Sequence, residues 1–237
     1  MSPKISTKRF ENQLLTSLKA DDLALIEPFL EPVALDLRMV LERPNVPIKH
    51  IYFPKSGIAS VVSTADPGTL AEVGLIGLEG VSGTAVIFES DRSPHHTYMQ
   101  VAGSGQRVEL AKFQTALSKS VTFRSHFLHY AHAFMIQTAY TAAANARAKL
   151  EQRLARWILM VHDRLQDNGV PLTHEFLGIM LGVRRAGVTE ALLVLAGRGV
   201  IRKDKVGSFI LVNRKGLEMI AGPFYGAPER EYVRLMA

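Results

Sequence analysis

The sequence predicts an α+β fold in three successive parts, and three observations predict it. Residues 33–110 are short apolar runs broken by Gly, Pro, Asn and Asp. Residues 121–166 contain neither Gly nor Pro. Residues 171–213 set two short amphipathic helical stretches before a basic, alternating hairpin. The expected divisions are residues 1–120 for the strand-rich part, 121–146 for a linking helix and 147–237 for the C-terminal module.

Taken in order, residues 10–30 read as helix: Leu14, Leu15, Leu18, Leu23 and Ile26 recur at near-helical spacing, and Pro28 and Pro32 mark the end. The runs VALDLRMVL, IKHIYF, IASVVST and TLAEVGLIG follow, separated by the turn formers RPNVP, PKSG and ADPG. Short strands at regular spacing predict a β-sandwich or barrel. HHTYMQVA and QRVEL, joined through Gly103-Ser104-Gly105, read as a closing hairpin. Beyond Lys112 the pattern turns helical. A stripe through Phe123, Phe127, Tyr130, Phe134, Thr138 and Thr141 has three/four spacing and needs a partner surface. A second copy of the chain is the economical partner, which makes Phe127, Tyr130, Phe134, Thr138 and Thr141 the candidate dimerisation residues. Packing on the chain's own strands would satisfy the same stripe. A break near residues 145–147 precedes a second helix carrying Leu150, Leu154, Trp157, Ile158, Val161 and Leu165, closed by Asn168-Gly169 with Pro171 beyond.

Composition narrows the function classes. No run of about 18 apolar residues could span a membrane, and residues 1–11 lack the apolar centre of a signal peptide. A cytoplasmic protein without membrane contact is expected. The chain has no cysteine, which excludes disulfides, thiolate zinc sites and cysteine-held iron–sulfur clusters. Residues 1–146 carry 13 basic and 13 acidic side chains, whereas residues 147–237 carry 15 and 9. The whole net charge of +6 therefore lies in the C-terminal part. A basic module beside a neutral one suits contact with a polyanion, although a solubilising surface would look the same.

The sharpest signal lies in residues 171–213. Thr173 is placed to cap a short helix carrying Phe176, Leu177, Met180 and Leu181, with His174 beside it and Glu175 in the first turn. Gly182 supplies a tight turn into a second helix of about residues 184–196. Val188, Leu192 and Leu195 of that helix face inward, while Arg184, Arg185, Thr189 and Glu190 face outward near its start. A recognition helix meets base edges there, and an arginine fork suits guanine O6 and N7, worth roughly 1–3 kcal/mol of discrimination. Residues 200–212 then form a hairpin with Lys203 and Lys205 near its tip, a wing able to reach phosphates. These features together predict a winged helix-turn-helix that binds double-stranded DNA.

With these residues in place, the chain resembles the Crp/Fnr family of transcription regulators over about residues 12–222. The resemblance is carried by NQLLTSL, VLERPNVPIKHIYFPKSGIASVV and EVGLIGLEGVSG in the first part, and by RLARWILMVHDRL and LTHEFLGIMLGVRRAGVTEALLVLAGRGVI in the second. It implies an N-terminal double-stranded, jelly-roll-like β-roll of the cyclic-nucleotide-binding type, a long dimerisation helix and a C-terminal winged helix-turn-helix. It further implies a homodimer on a pseudo-palindromic site about one helical turn between half-sites, and RNA polymerase as a protein partner. The effector pocket would fall at Glu79, Gly80, His95, His96 and Thr97. His95 and His96 stand where cyclic-nucleotide-binding members carry Arg-Ser against the phosphate; the pair at Arg92-Ser93 comes early and precedes Pro94. Neutral histidines are poor phosphate donors, so cyclic AMP is not expected to bind in the usual way. Any small-molecule effector is thus unidentified, and haem ligation by His50, His95 or His96 stays open. Arg185 occupies the position of the family's base-reading arginine, while Ala186 and Glu190 depart from common base-contacting residues.

Other constellations point away from chemistry. His126, His129 and His132 recur every three residues, which spreads them over a wide arc, and surface or interface histidines are the expectation. Gly74, Gly77, Gly80 and Gly83 lack the Gly-Lys-Ser/Thr ending of a phosphate loop and read as strand turns. Gly187 is unusual inside a helix; a close approach to DNA and neutral drift are both open. Trp157 reads as core, and Arg153 and Arg156 as surface pairs or phosphate contacts. No catalytic set, metal or cofactor is expected, and the chain is not read as an enzyme. The rival reading is a sensor or scaffold whose helical tail binds protein.

Overall fold

The computed structural model describes residues 11–64, 70–165, 169–170, 174–203, 209–211 and 213–237. In chain order the helices are α1 (Gln13–Thr16), α2 (Ala20–Leu23), α3 (Thr84–Ile87), α4 (Leu110–Lys119), α5 (Val121–Arg147), α6 (Leu150–Leu165), α7 (His174–Leu181), α8 (Arg185–Gly197), α9 (Arg214–Ala221) and α10 (Ala227–Met236). The strands are β1 (Glu31–Leu35), β2 (Val40–Glu42), β3 (His50–Pro54), β4 (Ile58–Thr64), β5 (Leu70–Ile76), β6 (His96–Val101), β7 (Gly103–Glu109), β8 (Gly169–Val170), β9 (Ile201–Lys203) and β10 (Phe209–Leu211). The fold is α+β, with antiparallel sheets first, a long helix next and short helices with a small sheet last. Among the described residues no helix is long and apolar enough to cross a membrane.

Two compact units emerge. One gathers the chain up to residue 59 and residues 76–131; the other gathers residues 60–75 and 132–235. The grouping cuts across chain order, because residues 60–64 of β4 lie beside β5 in the second unit.

In the first unit β7 lies between β1 and β3, antiparallel to both, with Val33 opposite Gly105 and Ile51 opposite Val108. β2 pairs with β6, Val40 opposite Tyr98. The expected β6–β7 hairpin is not formed: consecutive strands enter different sheets. Glycine makes the crossing possible. A Cβ on Gly103 would strike the Ser56 carbonyl, one on Gly105 the Phe53 carbonyl, and one on Gly57 would sit 2.5 Å from the Val101 carbonyl oxygen. Gly57 also has φ +79°, a backbone region that glycine enters without strain.

The expected helix over 10–30 is instead three short turns. Asn12 starts α1 by accepting from the Leu14 and Leu15 amides at 3.1 and 3.2 Å, while its Nδ2 donates to the Pro54 and Gly80 carbonyls. Ser17 Oγ then donates to the Gln13 carbonyl and α1 stops. Asp22 of α2 accepts from Ser120 and Thr122 at 2.5 and 2.7 Å, which ties this segment to the α4–α5 junction. Side chain–backbone bonds thus win over continued helix at both ends.

The core of the first unit is an aromatic cluster. Phe53, Phe113, Phe123 and Phe127 are all fully buried, and their ring centroids lie 4.7–6.2 Å apart in mostly edge-to-face contact. Such pairs add about 0.5–1.5 kcal/mol each beyond area burial. The same packing corrects the expected dimerisation stripe. Phe127 belongs to this cluster, and Tyr130 is buried with its hydroxyl donating to the Val81 carbonyl at 3.1 Å.

Further along, within the second unit, Phe134 lies against Gly74, where a Cβ would meet its ring at 2.6 Å. Gln137 accepts from the Leu75 amide at 2.7 Å and donates to the Leu75 carbonyl at 3.2 Å. Thr138 and Thr141 bond back to the carbonyls of Phe134 and Gln137. The stripe is occupied by the chain itself.

Candidate nucleic-acid interface

The helix-turn-helix is built by two helix terminations of the same kind. At the end of α7 the Val183 amide donates to the Gly178 carbonyl at 3.0 Å and the Gly182 amide to Ile179 at 3.2 Å. Gly182 has φ +61°. That is a Schellman cap, which turns the chain sharply because its glycine accepts a left-handed conformation. At the end of α8 the Val200 amide donates to the Leu195 carbonyl at 3.2 Å and the Gly199 amide to Ala196 at 2.9 Å, with Gly199 at φ +66°. The first cap aims α8 and the second aims the chain into β9.

Amphipathic packing fixes which face of α8 looks outward. Val188, Ala191, Leu192 and Leu195 are buried, and the Cβ position of Gly187 lies 3.3 Å from Leu150 Cδ2. Gly187 therefore serves the close crossing of α6 and α8. Arg184, Arg185, Thr189 and Glu190 are all exposed. Arg184 is the N-cap with extended backbone and makes no side-chain cap bond; Arg185 opens the helix. Thr189 Oγ1 donates to the Arg185 carbonyl at 3.1 Å, one turn back, so the two residues share a face. Two forked cations and a hydroxyl thus stand at the positive end of a 13-residue helix, a donor-rich surface suited to phosphate and guanine.

The wing is a three-stranded antiparallel sheet in the order β8-β10-β9, with Phe209 opposite Lys203 and Ile210 opposite Arg202. Its third strand is Gly169–Val170; α6 is described to Leu165, and Asn168, expected to close that helix, lies outside the described residues. Lys203 ends β9 and His174 opens α7. Thr173 and Lys205 lie outside the described residues.

α9 backs this assembly through α6. Arg214 donates to Asp163 at 2.7 Å, Glu218 at 2.9 Å and the Tyr225 hydroxyl at 2.6 Å, and Tyr225 donates to the other Asp163 oxygen at 2.6 Å. Burial and the neighbouring Asp163 carboxylate together push the Tyr225 hydroxyl well above its ordinary pKa, so it stays a donor.

The structure places the residues expected at an effector pocket as follows. Gly80 has no room for a side chain, since a Cβ would lie 2.6 Å from the Tyr130 hydroxyl. Glu79 Oε1 accepts from the Gly77 amide at 3.4 Å. Thr97 is buried and bonds Glu42, whose Oε1 also accepts from the Gly83 amide at 2.8 Å. Burial lowers the pKa of His95, and burial together with the Arg43 charge lowers that of His96. Arg92 is engaged by its neighbour Asp91 at 2.9 Å. His126 Nε2 donates to the Leu14 carbonyl, 3.1 Å away. Among the described residues no group of three His, Cys, Asp or Glu side chains could hold a metal ion.

Sequence reasoning missed a buried polar cluster in the second unit. Glu72 is fully enclosed; Ser60 donates to its Oε2 at 2.6 Å and Trp157 to its Oε1 at 2.8 Å. Arg156 is also buried, against its expected surface role, and donates to the carbonyls of Phe224 at 2.9 Å and Gln137 at 3.3 Å. Burial depresses its pKa to about 10. Arg153 donates to Asn145 Oδ1 at 3.1 Å and to the Leu181 carbonyl. A usable signal was the placement of Arg156 beside Trp157 in the apolar run WILMV, where a charge has no water to reach.

Residues 152–220 match the family described as the Crp-like helix-turn-helix domain. No curated protein sequence matches the chain. Among solved structures, a protein described as a Crp/Fnr-family transcriptional regulator from Eubacterium rectale is similar at a TM-score of 0.69 and 15% identity, covering 89% of this chain and 98% of that one. FixK2 from Bradyrhizobium japonicum gives 0.69 and 15%, over 81% and 98%. The c-di-GMP-responsive global regulator CLP from Xanthomonas campestris gives 0.63 and 16%, over 81% and 99%. Residues 152–220 are therefore a Crp-like helix-turn-helix domain, carried on a chain with the fold of the Crp/Fnr transcription regulators.

Proposed function

We propose that this protein is a cytoplasmic, sequence-reading DNA-binding transcription regulator that acts as a homodimer on a pseudo-palindromic site and carries no enzymatic activity. The observation that supports it most is the set Arg184, Arg185, Thr189 and Glu190, exposed at the start of α8 inside the Crp-like match. α8 enters the major groove by this end, Arg185 reads a guanine, and Lys203 and Lys205 of the wing meet phosphates. RNA polymerase is the protein partner we assign to this role.

The dimer seam lies on the face of α5 opposite the one expected from the sequence. Val121, Ser125, Leu128, His132, Met135, Ala139, Ala142 and Ala146 are all exposed and recur every four and three residues. Val121 is 81% exposed and Met135 58%, large apolar side chains that one copy alone leaves in water. Small residues toward the C-terminal half allow two helices to approach closely, and the spacing is that of a two-stranded coiled coil.

The first unit is a sensor whose usual cyclic-nucleotide chemistry is degenerate. The histidines at the phosphate position have lowered pKa values and are neutral at pH 7. No effector is assigned.

The test is selection of bound sequences from a random DNA pool by the purified protein, in parallel with Arg185→Ala. Enrichment of a two-fold-symmetric site by the wild type is expected. Arg185→Ala is expected to relax one position in each half-site, at about 1–3 kcal/mol per half-site. Salt-sensitive binding with no sequence preference would remove the sequence-reading claim, and absence of binding would favour a protein-binding tail.

A further inference from the structure

The second unit holds a buried carboxyl, Glu72, apart from the exposed residues of α8. Glu72 of β5 touches three different elements through two hydrogen bonds and a relay. Trp157 of α6 donates to Oε1 at 2.8 Å, and Ser60 of β4 donates to Oε2 at 2.6 Å. The same Ser60 hydroxyl lies 3.7 Å from Met180 Sδ in α7, within reach of an O–H···S bond. A serine has one hydrogen to give, so it serves one of these acceptors at a time.

The protonation state of Glu72 decides which. As a carboxylate, Glu72 takes the Ser60 hydrogen. As a carboxylic acid it holds a hydrogen on Oε2, which Ser60 Oγ accepts, and the serine's own hydrogen turns to Met180 Sδ. The Trp157 bond survives in both states. One proton therefore turns the Ser60 hydrogen from β5 to α7, while the bond between Ser60 and Glu72 reverses direction and persists.

We propose that Glu72, Ser60 and Met180 form a proton-operated latch that holds the β4–β5 strands on the first helix of the helix-turn-helix, tight when the carboxyl is protonated and loosened when it ionises. Its regulatory meaning rests on the reading of α7–α8 as the DNA interface; the latch itself does not.

The surroundings place the switch in a useful range. Burial raises the Glu72 pKa from 4.5 to about 7, outweighing the Ser60 and Trp157 hydrogen bonds and the charges of Arg156 and Arg164. The two guanidiniums are already engaged: Arg156 holds Phe224 and Gln137 and feels Glu229 of α10, and Arg164 Nη1 donates to the Met160 carbonyl at 2.7 Å. Arg153, Asn145 and Thr141 edge a cavity of about 20 Å³ beside Glu72, room for a single water to carry the proton. A latched carboxyl keeps its proton up to about pH 7, while one opened to water returns to the ordinary 4.5. Lower pH therefore favours the latch. Opening becomes easier by about tenfold per pH unit across that window and gains nothing further above it.

Trp157 is the chain's single tryptophan, and its indole N–H sits on the carboxyl in question. Fluorescence of the full-length protein, titrated from about pH 5 to 9, is expected to show a one-proton step with its midpoint near 7. Glu72→Gln should abolish the step. Ser60→Ala removes a donor that favours the carboxylate, so the midpoint should move upward. Hydrogen exchange at the α7 amides, corrected for intrinsic rate, should quicken in the wild type as pH rises toward that midpoint and level off above it, and stay level throughout in Glu72→Gln.

A wild type without the step, a step that persists in Glu72→Gln, or α7 protection blind to pH each overturns the latch. If Glu72→Gln does not fold, the Ser60→Ala midpoint decides, and an unmoved value overturns it. No DNA enters these measurements. A protein that shows the latch but selects no sequence keeps this inference and loses the regulator reading.

Discussion

The two faces of α5 look alike in sequence and do opposite work. One stripe runs through Phe123, Phe127, Tyr130, Phe134, Gln137, Thr141 and Ala144, and its members are buried or half-buried. The other runs through Val121, Ser125, Leu128, His132, Met135, Ala139, Ala142 and Ala146, and every member is exposed. Both repeat at four and three residues, offset by two positions, which at about 100° per residue sets them about 200° apart. A helix with apolar or small residues on opposite sides needs two partners. The inner stripe has found its partner within the chain, in the phenylalanine cluster and then in Gly74 and Leu75. The outer one is exposed at every position, which is why it carries the dimer in our proposal. The comparison shows that stripe spacing identifies a contact face without identifying what it contacts.

Substitution should separate the two faces by how each responds to protein concentration. The largest effect is expected from Phe127→Ala on the inner face. It empties a fully enclosed ring site with edge contacts to Phe53 and Phe113 at 6.1 and 4.9 Å. A loss of about 3–5 kcal/mol is expected from denaturant unfolding, the same at low and high protein concentration once assembly is held fixed. Met135→Glu on the outer face should leave the monomer's unfolding almost unchanged, because that side chain is 58% exposed. In a two-fold pair it sets two carboxylates against each other, and the dimer constant should weaken by about 30–100-fold, read by sedimentation equilibrium. An unaltered dimer would move the seam elsewhere; a destabilised monomer would erase the distinction between the faces.

The same pair of faces shows what the sequence made legible. The helix itself was plain, since a glycine- and proline-free run of that length has few alternatives, and α5 does run Val121–Arg147. The choice of inward face was not, because both sides carry apolar or small residues and periodicity cannot rank them. The helix-turn-helix was readable because its signals are local: Gly182 and Gly199 sit where a left-handed cap is needed, and Val188, Leu192 and Leu195 are a helical face. Glu72 was invisible for the opposite reason. Its partners Ser60 and Trp157 are 12 and 85 positions away, Met180, which Ser60 reaches, is 108 away, and only tertiary packing brings them together. The β6–β7 hairpin failed similarly: Gly103 and Gly105 suit a turn locally, but they serve close passage against Ser56 and Phe53.

The smallest expected effect tests the border between the faces. Thr138 was named with the dimerisation stripe, yet its neighbour by spacing on the inner face is Gln137. Its hydroxyl donates to the Phe134 carbonyl at 3.0 Å, a carbonyl already inside the helix and one turn back. Such a back-bond duplicates what the helix ladder provides and tends to bend the helix slightly. Thr138→Val keeps the side chain's shape and removes only that bond, so unfolding should shift by no more than about 0.5 kcal/mol and the dimer constant should not move. A shift in unfolding of more than about 1 kcal/mol would place the hydroxyl in the inner core. A shift in the dimer constant alone would widen the outer seam by one residue and restore part of the stripe first expected from the sequence.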